Sequence, residues 1–274
     1  MTDTPVVAPV EWLAEHLDDP DLAVVDVRDA WEYDAIGHVP GAVSIPFDTF
    51  RDADGGDVGM LPGAERFASL LSEAGVAPGD TLLAYDDEHG VFAARFLVTA
   101  MVYGHDDVRL LDGDFTAWSR SEATTTDAPD PEPTDYALSI PEDRPLIDAD
   151  GVLDAIGGGE DGEIEVGEDV VLIDTRTPEE FAAGHIEGAI NFDWRDLVDP
   201  DSRGLKPRDE LEAILESHGV DPEKRVILYC NTARRISHTY LVLRHLGYET
   251  VAFFEGSLTE WRERDLPLVS GSDT

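Results

Sequence analysis

Asp26-Val-Arg28-Asp-Ala-Trp-Glu32-Tyr33-Asp-Ala-Ile-Gly37-His38-Val-Pro-Gly41-Ala42 returns, one residue shorter, as Asp174-Thr-Arg176-Thr-Pro-Glu-Glu180-Phe181-Ala-Ala-Gly184-His185-Ile-Glu-Gly188-Ala189. A second pair of blocks follows in the same order, Leu111-Asp-Gly113-Asp-Phe-Thr-Ala-Trp118 and Phe254-Glu-Gly256-Ser-Leu-Thr-Glu-Trp261. Matched blocks in matched order mean duplication, and a period of about 145 residues is too long for a solenoid repeat, so the chain is two copies of one domain. The tract Thr124-Thr-Thr-Asp-Ala-Pro129-Asp-Pro131-Glu-Pro133 is rich in proline and polar residues and reads as a connector. The expected organisation is a first domain over 1–123, a linker over 124–145 and a second domain over 146–274.

Inside each copy, short apolar runs alternate with amphipathic stretches. Leu22–Asp26, Thr81–Tyr85 and Val108–Leu111 read as buried strands of the first copy, and Val170–Asp174, Arg225–Tyr229 and Thr250–Phe254 as their counterparts. Helical patterns cover Phe67–Ala74, Ala93–Val102, Arg208–His218 and Ser237–Leu246, the last ended by Gly247. This alternation predicts an α/β fold, a mainly parallel sheet flanked by helices in each domain, with ligand sites beyond the carboxyl ends of the strands. The tract Gly157-Gly-Gly-Glu-Asp-Gly-Glu has no counterpart in the first copy and reads as a flexible acidic loop.

Of the 274 residues, 60 are acidic and 19 basic, a formal net charge of -41, while 42% are hydrophobic. The apolar share is enough for a buried core in each half and excludes an acidic disordered chain. Such a charge excludes a phosphate-tracking nucleic-acid binder. No stretch has the ~18 apolar residues of a membrane span, and the opening MTDTPVVAPVEW lacks a secretory pattern, so a cytoplasmic protein without membrane contact is expected. Two lysines against seventeen arginines, with acids spread along the whole chain, point to a halophilic, haloarchaeal-like protein. At molar salt the Debye length is about 3 Å and most of the self-repulsion vanishes.

The single cysteine, Cys230, excludes an intramolecular disulfide and a cysteine-built metal site. It directly follows the apolar run ending at Tyr229, so it sits at the carboxyl edge of a strand, and Asn231-Thr-Ala-Arg234-Arg235 must turn back toward a helix. Such a turn aims backbone N–H groups and a helix amino terminus at the sulfur, which with two guanidinium groups favour the thiolate, a nucleophile. The first copy has Asp86 at the matching position, followed by Asp87 and Glu88. A carboxylate there cannot carry transferable sulfur, so one half is expected to be competent and the other to be a support.

These features together resemble the tandem-domain rhodanese family of sulfurtransferases. The resemblance rests on the Asp-x-Arg strand ends (Asp26, Arg28; Asp174, Arg176), the Gly-His-x-x-Gly-Ala elements at 37–42 and 184–189, the loop from Cys230 to Arg235, and the Gly-x-x-x-x-Trp elements at Gly113–Trp118 and Gly256–Trp261. It implies two rhodanese-like domains, the first inactive, and a Cys230 that cycles through a persulfide without metal or cofactor. It further implies that Arg235 closes the loop and contacts substrate and that Arg176 is an anion ligand facing the pocket, with Arg234 a further candidate. Ala233 stands where many members have glycine, and Ile236 where serine or threonine is frequent. Asp26 and Asp174 read as braces, His38 and His185 as structural hydrogen-bonding residues, Trp118 and Trp261 as core anchors, and His238 as a helix residue.

The expected activity moves sulfane sulfur from thiosulfate to cyanide or another thiophilic acceptor, a protein acceptor included. The alternatives are a 3-mercaptopyruvate sulfurtransferase, against which the charged Arg234-Arg235 pair suits a compact dianion, and a non-enzymatic persulfide carrier. A cysteine phosphatase places its arginine six residues after the cysteine; here position 236 is Ile and the loop is one residue too short.

Overall fold

The computed structural model describes residues 6–51, 60–157 and 166–271. The tract read as a flexible acidic loop lies outside the described residues apart from Gly157 itself. The apolar runs form the strands expected of them, and they do so twice. In the first unit, β1 (Val7–Pro9), β2 (Leu22–Asp26), β3 (Val43–Ser44), β4 (Thr81–Tyr85) and β5 (Val108–Asp112) make a parallel sheet in the order β1-β5-β4-β2-β3. Its helices are α1 (Val10–His16), α2 (Ala64–Glu73), α3 (Val91–Val102) and α4 (Asp114–Ser121).

The second unit repeats the plan with β6 (Leu146–Ile147), α5 (Ala149–Ala155), β7 (Val170–Asp174), α6 (Pro178–Ala183), β8 (Ile190–Asn191), α7 (Arg208–Ser217), β9 (Arg225–Tyr229), α8 (Arg234–Leu246), β10 (Val251–Phe254) and α9 (Ser257–Glu263). Strand order is β6-β10-β9-β7-β8, again all parallel. β4 and β9 are the central strands, and Leu82–Tyr85 and Val226–Tyr229 are buried throughout. A strand covered on both faces has no polar side to show, which is why these runs are continuous rather than alternating.

By contacts, Met1–Arg144 group with Asp199–Leu205, and Pro145–Val198 with Lys206–Thr274. The expected linker therefore packs with the first unit. Thr125 pairs with His38 through both backbone bonds, 2.8 and 3.0 Å, and the Thr134 amide bonds to the Ser72 carbonyl at 3.0 Å. Residues 199–205, expected in the second domain, also belong to the first unit. There Arg203 lies between Asp114 (2.8 Å) and Asp87 (3.4 Å), and the Leu205 amide bonds to Asp112 at 2.7 Å.

The conserved plan of the repeat has a physical core in the Asp-x-Arg element. Asp174 and Arg176 are almost wholly buried at the carboxyl end of β7, paired at 2.6 Å, and the second terminal nitrogen contact of Arg176 goes to the Gly184 carbonyl at 2.8 Å. The Arg176 amide and Nε also donate to Asp174. Asp26 and Arg28 repeat this at 2.5 Å, with Gly37 in the place of Gly184 at 2.7 Å. Tyr85 donates to Asp26 at 2.7 Å, and its oxygen accepts from the Val39 amide at 3.1 Å. Tyr229 likewise accepts from Ile186 at 3.1 Å, and burial first, then the Asp174 charge, pushes its phenol well above the ordinary value. One carboxylate thus ties the end of a strand to the Gly-His element and to the neighbouring central strand.

Replacing Arg176 with Met leaves Asp174 buried without its counter-charge. The expected cost is about 3–5 kcal/mol of unfolding free energy, the range for breaking one side of a buried pair. Denaturant unfolding at fixed molar salt measures it, and a loss below about 1 kcal/mol contradicts the bracing role.

Candidate active site

Cys230 is 1% exposed and stands directly after central strand β9. Its position is fixed by three consecutive residues at the start of α9. The Cys230 amide donates to Ser257 Oγ at 3.2 Å, the Leu258 amide donates to the Cys230 carbonyl at 3.0 Å, and Thr259 Oγ1 donates to the Asn231 carbonyl at 3.0 Å. Ser257 Oγ donates in turn to the Phe254 carbonyl at 2.9 Å. The Gly-x-x-x-x-Trp element therefore does two jobs: Trp261 anchors the core, wholly buried, while the residues before it hold the cysteine's backbone. The sequence reading found only the first.

The turn after Cys230 is shorter than expected. Helix α8 begins at Arg234, so Arg234 and Arg235 lie in its first turn, where the sequence reading had them in the loop. The turn closes in three residues because Ala233 adopts the left-handed conformation, φ 61° and ψ -12°. That conformation costs a residue with a Cβ about 1–2 kcal/mol and explains why glycine suits the position. Cations in a helix's first turn also oppose the helix dipole. Glycine would relieve the first cost, and the second is offset at Arg235 by its pairing with Glu180.

The first unit shows what such a turn gathers. The Phe115 amide bonds to the Asp86 carbonyl at 2.8 Å just as Leu258 does to Cys230, so Asp86 and Cys230 occupy equivalent points. The third residue beyond each, His89 and Ala233, has φ of 58° and 61°. The buried Asp86 carboxylate accepts four backbone amides, from Glu88 (2.7 Å), Gly90 (2.8 Å), Phe92 (2.7 Å) and Ala93 (2.9 Å). Burial pushes Asp86 up to about 6 against the pull of those four amides. In the first unit a fixed carboxylate has taken the anion's place; in the second a thiol stands there.

Arg235 lies where the loop closes, and its guanidinium is paired with Glu180 of α6 at 2.5 Å. The same carboxylate accepts from Asn231 Nδ2 at 2.9 Å and from the Thr177 amide at 3.1 Å. Burial alone raises the Glu180 pKa, and Arg235, Thr177 and Asn231 together outweigh it and hold it down to about 2. Stabilisation from this pair is present above the ordinary carboxylate range and is lost only as pH falls toward about 2. The Thr177-x-x-Glu180 capping box fixes its carboxylate, and that spacing is the signal in the sequence that points to Glu180.

Arg234 and Arg235 open the helix that follows the Cys230 turn, and Arg176 stands at the carboxyl end of the neighbouring strand β7. Arg176 is 2% exposed, and its Nε and one terminal nitrogen are committed to Asp174 and Gly184. A guanidinium bound in this way braces the fold; its counterpart Arg28, bound likewise to Asp26 and Gly37, lines a cavity of about 320 Å³ together with Asp86. Asp174 is the brace that was expected. His185 bonds to the Phe181 carbonyl at 2.9 Å and stacks on its ring at 3.6 Å, and His38 repeats this on Tyr33 at 3.1 and 3.7 Å. His238 is buried on α8 with its ring edge-on to Trp194 at 5.0 Å. Among the described residues no group of His, Cys, Asp and Glu has the arrangement of a metal site.

The Rhodanese-like domain family matches residues 9–121 and 162–264. A thiosulfate sulfurtransferase of Pseudomonas aeruginosa is 34% identical over 95% of this chain and 95% of its own. The sulfur carrier protein TtuD of Thermus thermophilus is 32% identical over 98% of each. Among solved structures, the 3-mercaptopyruvate sulfurtransferase SseA of Escherichia coli superposes with a TM-score of 0.80 at 28% identity, covering 93% of this chain and 99% of that one. With the repeat, the paired parallel sheets and both family matches in agreement, the chain belongs to the rhodanese-like domain family.

Proposed function

We propose that this protein is a sulfurtransferase that moves sulfane sulfur from thiosulfate to a thiophilic acceptor through a persulfide on Cys230. The observation that carries the reading is the equivalence of Cys230 with Asp86. The same strand, turn and helix that gather four amides on a carboxylate hold a cysteine instead, so the turn is built for a negative group and the group is a nucleophile. The Cys230 thiolate attacks the outer sulfur of thiosulfate; the S–S bond of the donor breaks and sulfite leaves with its electron pair. The persulfide's terminal sulfur is then taken by cyanide as thiocyanate, regenerating the thiolate. Neither step moves a proton to carbon or changes the charge balance. Arg235, in the first turn of α8, contacts the donor's anionic group, with Arg234 beside it. Arg176 acts through Asp174 as a positioning residue for the strand end. The carrier protein among the relatives supports a protein thiol as a further acceptor.

A second reading, with 3-mercaptopyruvate as donor, is favoured by one observation. Glu180 neutralises Arg235 and Asp174 neutralises Arg176, so the positive charge counted in the sequence is largely compensated in place. A monoanionic carboxylate donor needs less of it.

We further place the protein in a high-salt cytoplasm. Its net charge of -41 with two lysines, its single unpaired thiol and the absence, among the described residues, of a helix able to cross a membrane support this. We read 1–123 and 146–274 as the two copies of the repeat, the first inactive, with 124–145 joining them and both 124–144 and 199–205 packed with the first unit.

Three outcomes test the proposal. Cys230→Ser abolishes thiosulfate:cyanide transfer, and intact-mass spectrometry after thiosulfate exposure finds one added sulfur on wild type and none on the variant; retained activity removes Cys230 from the role. Arg235→Ala costs about 1.5–3 kcal/mol of transition-state stabilisation, or one to two decades in kcat/KM for thiosulfate, as loss of a charge-assisted contact does. Unchanged turnover refutes the donor contact. Circular dichroism across a salt series shows progressive loss of structure toward ~0.1 M, where screening no longer reaches the charge spacing. A melting temperature equal at molar and tenth-molar salt rejects the halophilic reading.

A further inference from the structure

Glu180 has a counterpart in the first unit, and the difference between the two separates its structural from its functional work. Glu32 stands six residues after Asp26 as Glu180 does after Asp174. Each carboxylate accepts the backbone amide three residues before it, Asp29 and Thr177, both at 3.1 Å. That bond fixes the local turn in both halves. The contacts of Glu180 with Asn231 and Arg235 exist only in the half with the cysteine, because the first-unit loop Asp87-Glu-His-Gly-Val91 holds neither residue type. The acid has therefore gained two contacts to the catalytic turn that the fold does not require. One of them occupies the guanidinium that receives the donor's anionic group, and the pair is only partly buried, with side-chain exposures of 21% for Arg235 and 31% for Glu180.

We propose that Glu180 is a specificity-determining residue whose ion pair with Arg235 lowers the preference of the site for dianionic over monoanionic sulfur donors. The inference rests on the sulfurtransferase reading. Its physics is a competition: a donor must displace or share the Glu180 carboxylate to reach Arg235, and Coulomb interaction scales with the donor's charge. If removing the Glu180 charge improves a monoanion by a factor f, it improves a dianion by f squared. The same competition acts on the product, since sulfite is also a dianion, and Glu180 helps to expel it from Arg235.

Glu180→Gln is the informative change because glutamine still accepts the Thr177 amide and so keeps the capping box. Glu32→Gln is the control, making the same substitution in the half without a nucleophile. With the full chain at fixed molar salt, kcat/KM is measured for thiosulfate and for 3-mercaptopyruvate, together with inhibition by sulfite. Glu180→Gln is expected to raise kcat/KM about 10-fold for thiosulfate and about 3-fold for mercaptopyruvate, and to lower the sulfite inhibition constant about 10-fold, mainly through KM rather than kcat. Glu32→Gln leaves the donor ratio unchanged. A donor ratio that stays within about 1.5-fold of wild type, or that moves toward mercaptopyruvate, overturns the inference. Should Glu180→Gln fail to fold, Glu180→Ala serves in its place: it removes the same charge, and the ratio must still move toward thiosulfate. A wild type that turns over neither donor overturns the sulfurtransferase reading and this inference with it, whereas turnover with an unmoved ratio overturns this inference alone.

Discussion

The pairing of Asp174 with Arg176, repeated as Asp26 with Arg28, is the constraint on which the site end of each unit depends. Two opposite charges taken out of water carry a desolvation penalty of several kcal/mol each, and only dense, well-aimed hydrogen bonding offsets it. Here it is offset by geometry: backbone amide, Nε and terminal nitrogen of Arg176 all meet Asp174, and the remaining contact goes to Gly184. Burial opposes the Arg176 charge and its bond to Asp174 outweighs it, so the guanidinium titrates above its ordinary range. Strand β7, the Gly184-His185 element and, through Tyr229, strand β9 meet at this point. Since α6 lies between Asp174 and Gly184, the tie also fixes Glu180, and since Cys230 follows Tyr229, it fixes the cysteine.

A scaffold held by this tie accepts different residues at the position after the central strand. The two units share strand order, the Asp-x-Arg tie and the bond from the α4 or α9 start to the carbonyl of Asp86 or Cys230. What differs is charge. In the second unit Ser257, a neutral hydroxyl, accepts the Cys230 amide. Its counterpart Asp114 is an acid that takes Arg203 and the His89 amide instead. The acids of the first unit are thus not idle: Asp86 fills the amide cluster, and Asp87, Asp112 and Asp114 hold residues 199–205.

How much of this was legible depended on how local the determining interaction is. The central strands and long helices were readable because a run such as Val226-Ile-Leu-Tyr229 has no stable alternative to burial on both faces. The edge strands β1, β3, β6 and β8 are two or three residues long and have no pattern to detect. The packing of 199–205 with the first unit rests on Arg203 meeting acids about ninety or more positions away, which no window on the sequence contains. The pairing of Arg176 is of another kind. Its partner was in view, two residues away, but counting cations gives no information on which anion each one meets. The same count concealed Glu180, whose carboxylate takes one of the two arginines that seemed to define the turn.

That local pairing gains importance from the surface around it. A net charge of -41 repels anionic donors of every kind, and at low ionic strength this long-range term would act on thiosulfate, mercaptopyruvate and sulfite in proportion to charge whatever the pocket contained. At molar salt the Debye length shrinks to about 3 Å, which is close to the length of a hydrogen bond. Exposed acids beyond that distance cease to be felt at the sulfur, and only groups in direct contact with the turn still discriminate. Arg234 and Arg235 at the start of α8, and Glu180 paired with Arg235, are charges of this kind. At high ionic strength so acidic a chain can therefore hold a site for small anions, because the solvent screens the surface from the site, and the sign and fine balance of the site rest on the few charges too near to be screened.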